Sequence, residues 1–429
     1  MDESKSLNDK AWKQLFDKYD ILNQIDINGS FQISAAQIKE FREPRLMVKF
    51  DHSINLPKIF ASNGLAILPI TRGDYMISHF DAYHKFENTD TTLIKVSLPA
   101  HIQSLDYNNI TSEAVALNCA IASEIIEDFT GDEQIIPTVS GRMSSGLFSF
   151  EIMDTQSNRH RYVNVINSQI EIDAAYEGIQ YLSLFEAKRD LSEDFLVRQL
   201  YYPYRTWCSR VEKEIKPIFL VYSNGIYRLY QYKFENPRDY SSLVLVKQKN
   251  YTIEDTTITS QDIQDLLKNV VFIPEPKVSF PQANSFERVI NLCELLSEHS
   301  MNREQVTENY DFDARQTNYY TDAARYLGLI EKNRGNGVPV YRLTSKCKII
   351  LQKGYKQRQL DFCRLILRHR VFADVLSRYF ETGVMPSNSE ITQFMKQAVI
   401  YKVKSDATFE RRASTIRSWI EWIVGLINE

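Results

Sequence analysis

Residues 169–188, QIEIDAAYEGIQYLSLFEAK, read as two apolar runs around a Tyr176-Glu177-Gly178 turn, and this stretch constrains the chain more than any other. Side chains two apart on a strand share a face, so Glu186 and Lys188 point one way and Ala187 the other. The turn signal predicts strands at 165–173 and 181–188, folded so that Asp173 lies beside Glu186. Two carboxylates that close repel unless a cation sits between them, and hard oxygen ligands suit Mg²⁺. Lys188, adjacent to that cation, can orient or deprotonate an attacking water. Asp173, Glu186 and Lys188 are therefore the candidate catalytic residues. Glu171, two residues earlier on the face of Asp173, is an alternative metal-bridging acid; Asp173 is favoured because it lies nearer the turn.

An acid followed by Glu-x-Lys arises often by chance, and the chain holds a second copy, Glu214-Ile215-Lys216, just before Pro217. No acid-bearing hairpin strand leads into that copy. The 186–188 copy stands in a longer order: a helix over 112–129, strands near 146–153, 161–173 and 181–188, a helix over 192–215, and a strand at 218–223. Residues 130–145, ending PTVSGRMSSG, read as a flexible loop that leaves Arg142 able to approach a phosphate. The α-β-β-β-α-β order, with the acid ending the second strand and Glu-x-Lys on the third, resembles the core of the PD-(D/E)xK nuclease superfamily. Its RecB-like branch carries Gln and Tyr on the following helix. That resemblance implies Gln199, with Tyr202 an i,i+3 neighbour, as support for the metal site. Pro203 interrupts the helix register, and aromatic core packing competes for most of the nearby tyrosines.

At 429 residues the chain suggests two or three domains, with 43% hydrophobic and 25% charged residues, enough for packed cores. Its five cysteines are scattered without a CxxC pair, which argues against a disulfide framework or zinc site and fits a reducing compartment. The start MDESKSLNDKAWK shows no signal peptide and no run of about 18 apolar residues occurs, so a cytoplasmic location without a membrane partner is expected. The net charge of −4 is uneven: residues 331–370 hold eleven Lys or Arg against two acids, so the remainder carries −13. Such asymmetry is the footprint of a duplex-binding face.

Four regions follow. Residues 1–110 form an N-terminal α+β region in which 11–25 has helical spacing, with Trp12, Leu15, Phe16, Tyr19 and Leu22 on one stripe. Arg42, Arg45, Lys49 and Arg72 fall near loop signals there and can clamp phosphates or read guanine. Residues 111–272 form an α/β core with a mixed central sheet, and 271–284 a proline-rich boundary. Residues 284–346 have the layout of a winged helix: helices at 285–298 and 302–309, a third after an Asp313 cap, and a two-stranded wing at 332–344. On the third helix Arg315, Gln316, Asn318 and Tyr319 lie off the packing face, and Arg, Gln and Asn are types that read bases. Residues 347–429 read as helical, with a basic helix to about 380.

The strings ARQTNYYTDAARYLGLIEK, EIDAAYEG…FEAK and RQLYYPYR resemble a group of Type II restriction endonucleases with C-terminal winged helices. The resemblance implies a restriction-endonuclease-like fold, Mg²⁺-dependent cleavage of double-stranded DNA at a short sequence, a homodimer, and a cognate DNA methyltransferase as functional partner. One departure is that Ile172, not proline, precedes the acid. Two other readings remain: a DNA-binding regulator on an inactive nuclease fold, and the nuclease subunit of a transposase.

Overall fold

Because strand side chains alternate, a strand covered on both faces must be apolar throughout, and IFLVYS (218–223) is the chain's clearest case. It lies at the centre of a seven-stranded mixed sheet. In the computed structural model, which describes residues 6–87, 92–310, 312–335, 338–398, 400–401, 403 and 405–428, the strands are β1 (Leu93–Lys95), β2 (Ile136–Ser144), β3 (Gln169–Glu177), β4 (Tyr181–Lys188), β5 (Glu214–Ser223), β6 (Ile226–Phe234) and β7 (Leu243–Thr252). Their spatial order is β1-β7-β6-β5-β4-β3-β2. β3 and β4 pair antiparallel with Phe185 opposite Ala174, whereas β4 and β5 run parallel from Tyr181↔Glu214 to Lys188↔Val221.

Two helices close the sheet and fix which face carries the acids. α1 (Glu113–Ala122), started by a Ser112 cap, packs with the helix Ile125–Thr130 against Ala174, Phe185, Ala187 and Leu220. α2 (Arg198–Cys208) covers the other face, with Tyr201 and Tyr202 packed against Phe219 and Val221. Alternation then turns Glu186 and Lys188 toward α2. The fold class is thus mixed α/β around a mixed sheet, followed by C-terminal helices.

Several boundaries differ from the sequence reading. Residues 136–144 are an edge strand rather than a loop. They are mostly exposed, so no apolar alternation marks them, and Pro137 and the positive φ of Gly141 are tolerated where pairing with β3 is irregular. The stretch 161–173 is two strands: Arg159–Ile166 pairs with Leu147–Asp154 in a separate hairpin, and the chain breaks at Asn167, with φ of 52°, before β3 begins. The turn of the site hairpin falls at 178–180. The helix expected over 192–215 is shorter, because Asp194–Leu196 pairs with Tyr83–Lys85 as a small sheet.

The N-terminal region holds a three-stranded sheet (Phe31–Ser34, Ala66–Pro69, Asp74–Ser78) behind two helices, Leu7–Tyr19 and Ile21–Asn28. The expected single helix breaks at Asp20, whose φ is 50°. Trp12, Leu15 and Phe16 are buried as expected; past the break Ile21 and Ile25 take over and Leu22 is exposed. The strand at 83–85 pairs with Asp194–Leu196 in the small two-stranded sheet, and 93–95 joins the edge of the central sheet.

At the C-terminal end α3 (Phe286–Leu296), the short strand Met301–Asn302, α4 (Arg303–Asn309), α5 (Ala314–Tyr326) and the strands Ile330–Gly335 and Val338–Leu343 follow in order, the three strands forming one sheet. Asp313 caps α5 in a capping box with Gln316, and Gly328 (φ 68°) follows its end. Thr317, Tyr320, Ala324 and Leu327 are buried, as their spacing requires. The expected long basic helix is three helices, Ser345–Leu351, Tyr355–Leu367 and Arg370–Thr382. They share one core with α3 and the last helix, Asp406–Gly425, where Phe286 meets Trp419 edge-on at 4.9 Å. Among the described residues no helix is long and apolar enough to cross a membrane.

Candidate active site

The hairpin places its acids together. Asp173 Oδ2 accepts from the amide of Ala187 at 2.8 Å, which fixes the carboxylate beside the β4 backbone. Glu186 Oε1 accepts from Lys188 Nζ at 2.5 Å and from Gln199 Nε2 at 2.7 Å. α2 thus delivers Gln199 onto the face of the strand that carries Glu186; Oε1 of Gln199 is buried and meets no donor. Around them lies a cleft of about 440 Å³ lined also by Lys49, Asp51, Glu113, Arg142, Glu171 and Arg198. Tyr202 lines it as well, but its hydroxyl is spent on the Pro69 carbonyl at 2.9 Å.

Burial pushes the Glu186 carboxyl up to about 7; Lys188 opposes this, and Asp173 and Asp51 add to it. Burial alone would lower the Lys188 ammonium, yet Glu186, Asp51 and Asp173 outweigh it and hold its pKa above the ordinary value. One ammonium facing three carboxylates is an acidic site that calls for more positive charge. At neutral pH Lys188 is therefore protonated here. It can orient a water or a phosphate oxygen, but proton removal does not fall to it in this state.

Eight of the residues singled out from the sequence line the cleft: Asp173, Glu186, Lys188, Glu171, Gln199, Tyr202, Arg142 and Lys49. Glu171 and Arg142 sit at its rim, opposite each other on β3 and β2, with an exposed ion pair at 3.3 Å. Arg42, Arg45 and Arg72 do not line it. Arg45 is exposed on the short helix Pro44–Met47, and Arg72 on the turn before Asp74. On α5, Arg315 is exposed and its Nε bonds the Tyr319 hydroxyl. Gln316 Oε1 accepts from the Asp313 amide at 3.2 Å, and Asn318 and Tyr319 are half-buried.

The basic stretch is less free than its composition implies. Among the described residues six of its cations are ion-paired: Arg342 with Glu331, Lys353 and Arg364 with Asp361, Lys356 with Asp262, Arg358 with Glu254 and Arg370 with Asp374. Three of those five acids, Glu254, Asp262 and Asp374, come from outside 331–370, so a window count could not see them. Lys346 and Lys348 are exposed on the helix Ser345–Leu351.

Sequence reasoning missed Asp51 and its neighbour His52. The main-chain oxygen of Asp51 accepts from Leu196 N at 2.9 Å, His52 Nδ1 lies 2.6 Å from the Asp194 carbonyl, and His52 Nε2 lies 3.0 Å from Asp190. These contacts are tertiary, across more than 130 residues. The local trace was an acid–imidazole step just after the cation-rich stretch 42–49. The second Glu-x-Lys copy is structural: Glu214 is exposed, while Lys216 is buried, bonds the Thr130 carbonyl at 2.8 Å and covers the Tyr181 ring. Glu214→Ala is expected to change stability by no more than about 0.5 kcal/mol and to leave any nuclease activity at the wild-type rate; thermal melts and cleavage assays check both.

Fold and cleft together define a multi-unit α/β protein with an acid–acid–lysine cleft on a mixed sheet. Three family models match it in succession, each described as a domain of unknown function: DUF6996 over residues 9–77, DUF6997 over 78–252 and DUF7226 over 288–428. No curated protein and no solved structure matches the chain. The cleft draws Lys49 and Asp51 from the first matched segment and its other lining residues from the second.

Proposed function

We propose that the chain is a Mg²⁺-dependent, sequence-specific endonuclease for double-stranded DNA, of restriction type. The observation that carries this reading is the meeting of Asp173, Glu186 and Lys188 in one cleft, with Gln199 on the Glu186 carboxylate. The sheet order supports it: β2-β3-β4 antiparallel, then α2, then β5 parallel to β4, is the arrangement expected of a restriction-endonuclease-like core. The order helix–strand–helix–helix–strand–strand over 286–343 supports a winged-helix reader in the same way.

The donor set fits Mg²⁺. Among the described residues there is no group of three or more His, Cys, Asp and Glu that could hold a metal ion. Mg²⁺ is commonly held by one or two carboxylates, with waters and substrate phosphate completing its shell. Asp173 and Glu186 would supply those carboxylates, and the shift of Glu186 to about 7 marks where positive charge is wanted. Bound there, the ion would polarise the phosphodiester and acidify a water. The chain's own residues do the rest. The Ala187 amide fixes Asp173, Gln199 fixes Glu186, Lys188 orients the attacking water or a phosphate oxygen, and Lys49, Arg142 and Arg198 are placed to meet backbone phosphates. Asp173 suits the bridging role better than Glu171, which is exposed and engaged by Arg142. A homodimer would match a palindromic site, and a cognate methyltransferase would protect host DNA.

The test is incubation of purified protein with plasmid, with and without Mg²⁺, and sequencing of the ends. Defined ends at a short sequence are expected. Full cutting in EDTA discards the metal mechanism, and binding without cutting favours the regulator reading.

For recognition, Arg315→Ala or Asn318→Ala is expected to cost about 1–3 kcal/mol of specific binding per lost bidentate contact and to relax base preference. Lys346→Ala or Lys348→Ala should weaken binding to every sequence and flatten its salt dependence. Titrations on specific and scrambled duplexes at two salt concentrations separate these outcomes. Uniform weakening by both groups would move base reading to the region of Arg42, Arg45 and Arg72.

A further inference from the structure

The segment that leaves Lys188 is held by the C-terminal unit. Asn291, fully buried on α3, donates from Nδ2 to the Arg189 carbonyl at 2.6 Å and accepts at Oδ1 from the Leu191 amide at 3.0 Å. The same Nδ2 reaches Ser223 Oγ, at the end of β5, at 3.0 Å. Three residues on, Glu294 accepts from Ser223 Oγ at 2.7 Å and from the Asn224 amide at 2.9 Å. Glu298, just past the helix, takes the Arg189 guanidinium, whose Nη1 also donates to the Thr111 carbonyl at 2.7 Å. Positions 291 and 294 share one side of the helix, and Glu298 follows on the turn after its end. α3 therefore sets a polar stripe against the C-terminal ends of the two parallel strands, one of which carries Glu186 and Lys188. Apolar side chains would bury more cheaply, since a polar group there must find its partners. What the stripe adds is a defined position for residues 189–191.

The other end of this network is α5. Tyr310 donates its hydroxyl to the Asn291 carbonyl at 2.6 Å. Its ring stacks on Phe312 at 4.9 Å, and Phe312 stacks on Tyr320 of α5 at 4.5 Å. A continuous set of contacts thus runs from the helix read as the base reader, through Tyr310 and Asn291, to the main chain immediately after Lys188.

We propose that Asn291 is a positioning residue that couples duplex engagement at α5 to the placement of Lys188. The proposal rests on the nuclease reading and deepens it: the reader gates the cleft as well as locating it. Spatial continuity alone does not establish coupling. The test therefore measures duplex binding, turnover and local order in the full-length chain carrying Asn291→Ala or Tyr310→Phe. Affinity is read by titration in Ca²⁺, cleavage by single turnover at saturating duplex in Mg²⁺, and order by hydrogen exchange over 186–191 with and without duplex.

Both variants are expected to bind duplex nearly as wild type. Asn291→Ala should cleave about tenfold or more slowly at saturation, with Tyr310→Phe showing a smaller loss, the size range of ordinary allosteric couplings. Duplex-induced protection of 189–191 should vanish in both, which a loss of stability alone would not produce. Wild-type saturating rates in both variants, or retained protection, overturn the proposal. Should Asn291→Ala fail to fold, Tyr310→Phe, which loses one oxygen, decides alone. A wild-type chain that cuts no duplex removes the nuclease reading and the proposal with it, whereas failure in the variants only leaves that reading standing.

Discussion

Lys188→Ala is expected to leave a folded protein that binds duplex DNA but cleaves it about a hundredfold to a thousandfold more slowly, the usual cost of removing one charged or hydrogen-bonding group from a reacting centre. The structure says why the effect should fall on turnover. The ammonium packs against no core cluster; its hydrogen bond goes to Glu186, 2.5 Å away, and its surroundings are the cleft carboxylates. Losing it leaves Glu186 with Gln199 as its donor and three acids without their counter-charge, so the variant should be less stable without a divalent ion and recover when one is added. Single-turnover cleavage in Mg²⁺, with duplex binding in Ca²⁺, separates the two effects. Lys188→Arg keeps the charge while displacing it, and should fold and bind but cut poorly. Wild-type turnover in Lys188→Ala removes the residue from the mechanism.

The acid-bearing hairpin was legible because its information is local. Period-two alternation sets the faces of Glu186 and Lys188, and a glycine turn sets the return of Asp173. The C-terminal helices were legible for the same reason: a cap at Asp313 and buried positions at three- and four-residue spacing. Edge strand β2 was not, since an exposed strand has no apolar face to alternate with. Nor was Asp51, whose place depends on Leu196 arriving from elsewhere in the chain, with Asp194 holding the neighbouring His52. The charge of residues 331–370 misled in a related way. Composition counts cations in a window, whereas the fold brings Glu254, Asp262 and Asp374 to neutralise three of them. The polar stripe of α3 was hidden beneath a correct apolar one, because Asn291 and Glu294 read as solvent positions until the partners they hold are known.

Asp173→Ala and Glu186→Ala should each abolish cleavage in Mg²⁺ while Ca²⁺ still supports binding, and the same pair predicts how pH and metal act on stability. Glu186 titrates near 4.5 when unfolded and is pushed up to about 7 by burial, with Asp173 and Asp51 adding to the effect. Between those values the metal-free folded protein holds a proton that the unfolded chain has released. Stability therefore falls as pH rises from about 4.5 to 7, by up to a few kcal/mol, and the loss is complete above the folded pKa. A divalent ion binds the deprotonated carboxylate, so Mg²⁺ or Ca²⁺ should raise the melting temperature strongly at pH 8 and little at pH 5.5. Glu186→Gln should melt higher than wild type at pH 8 without metal and gain little from adding it. Glu171→Ala should behave as wild type in both melting and cutting, because its carboxylate is exposed and bound to Arg142 at the rim. Melts at the two pH values, with and without each ion, read all of this without any cleavage assay. Equal stabilisation at both, or an undiminished metal response in Glu186→Gln, would take Glu186 out of the ion site. A dead Glu171→Ala beside an active Asp173→Ala would make Glu171 the bridging acid.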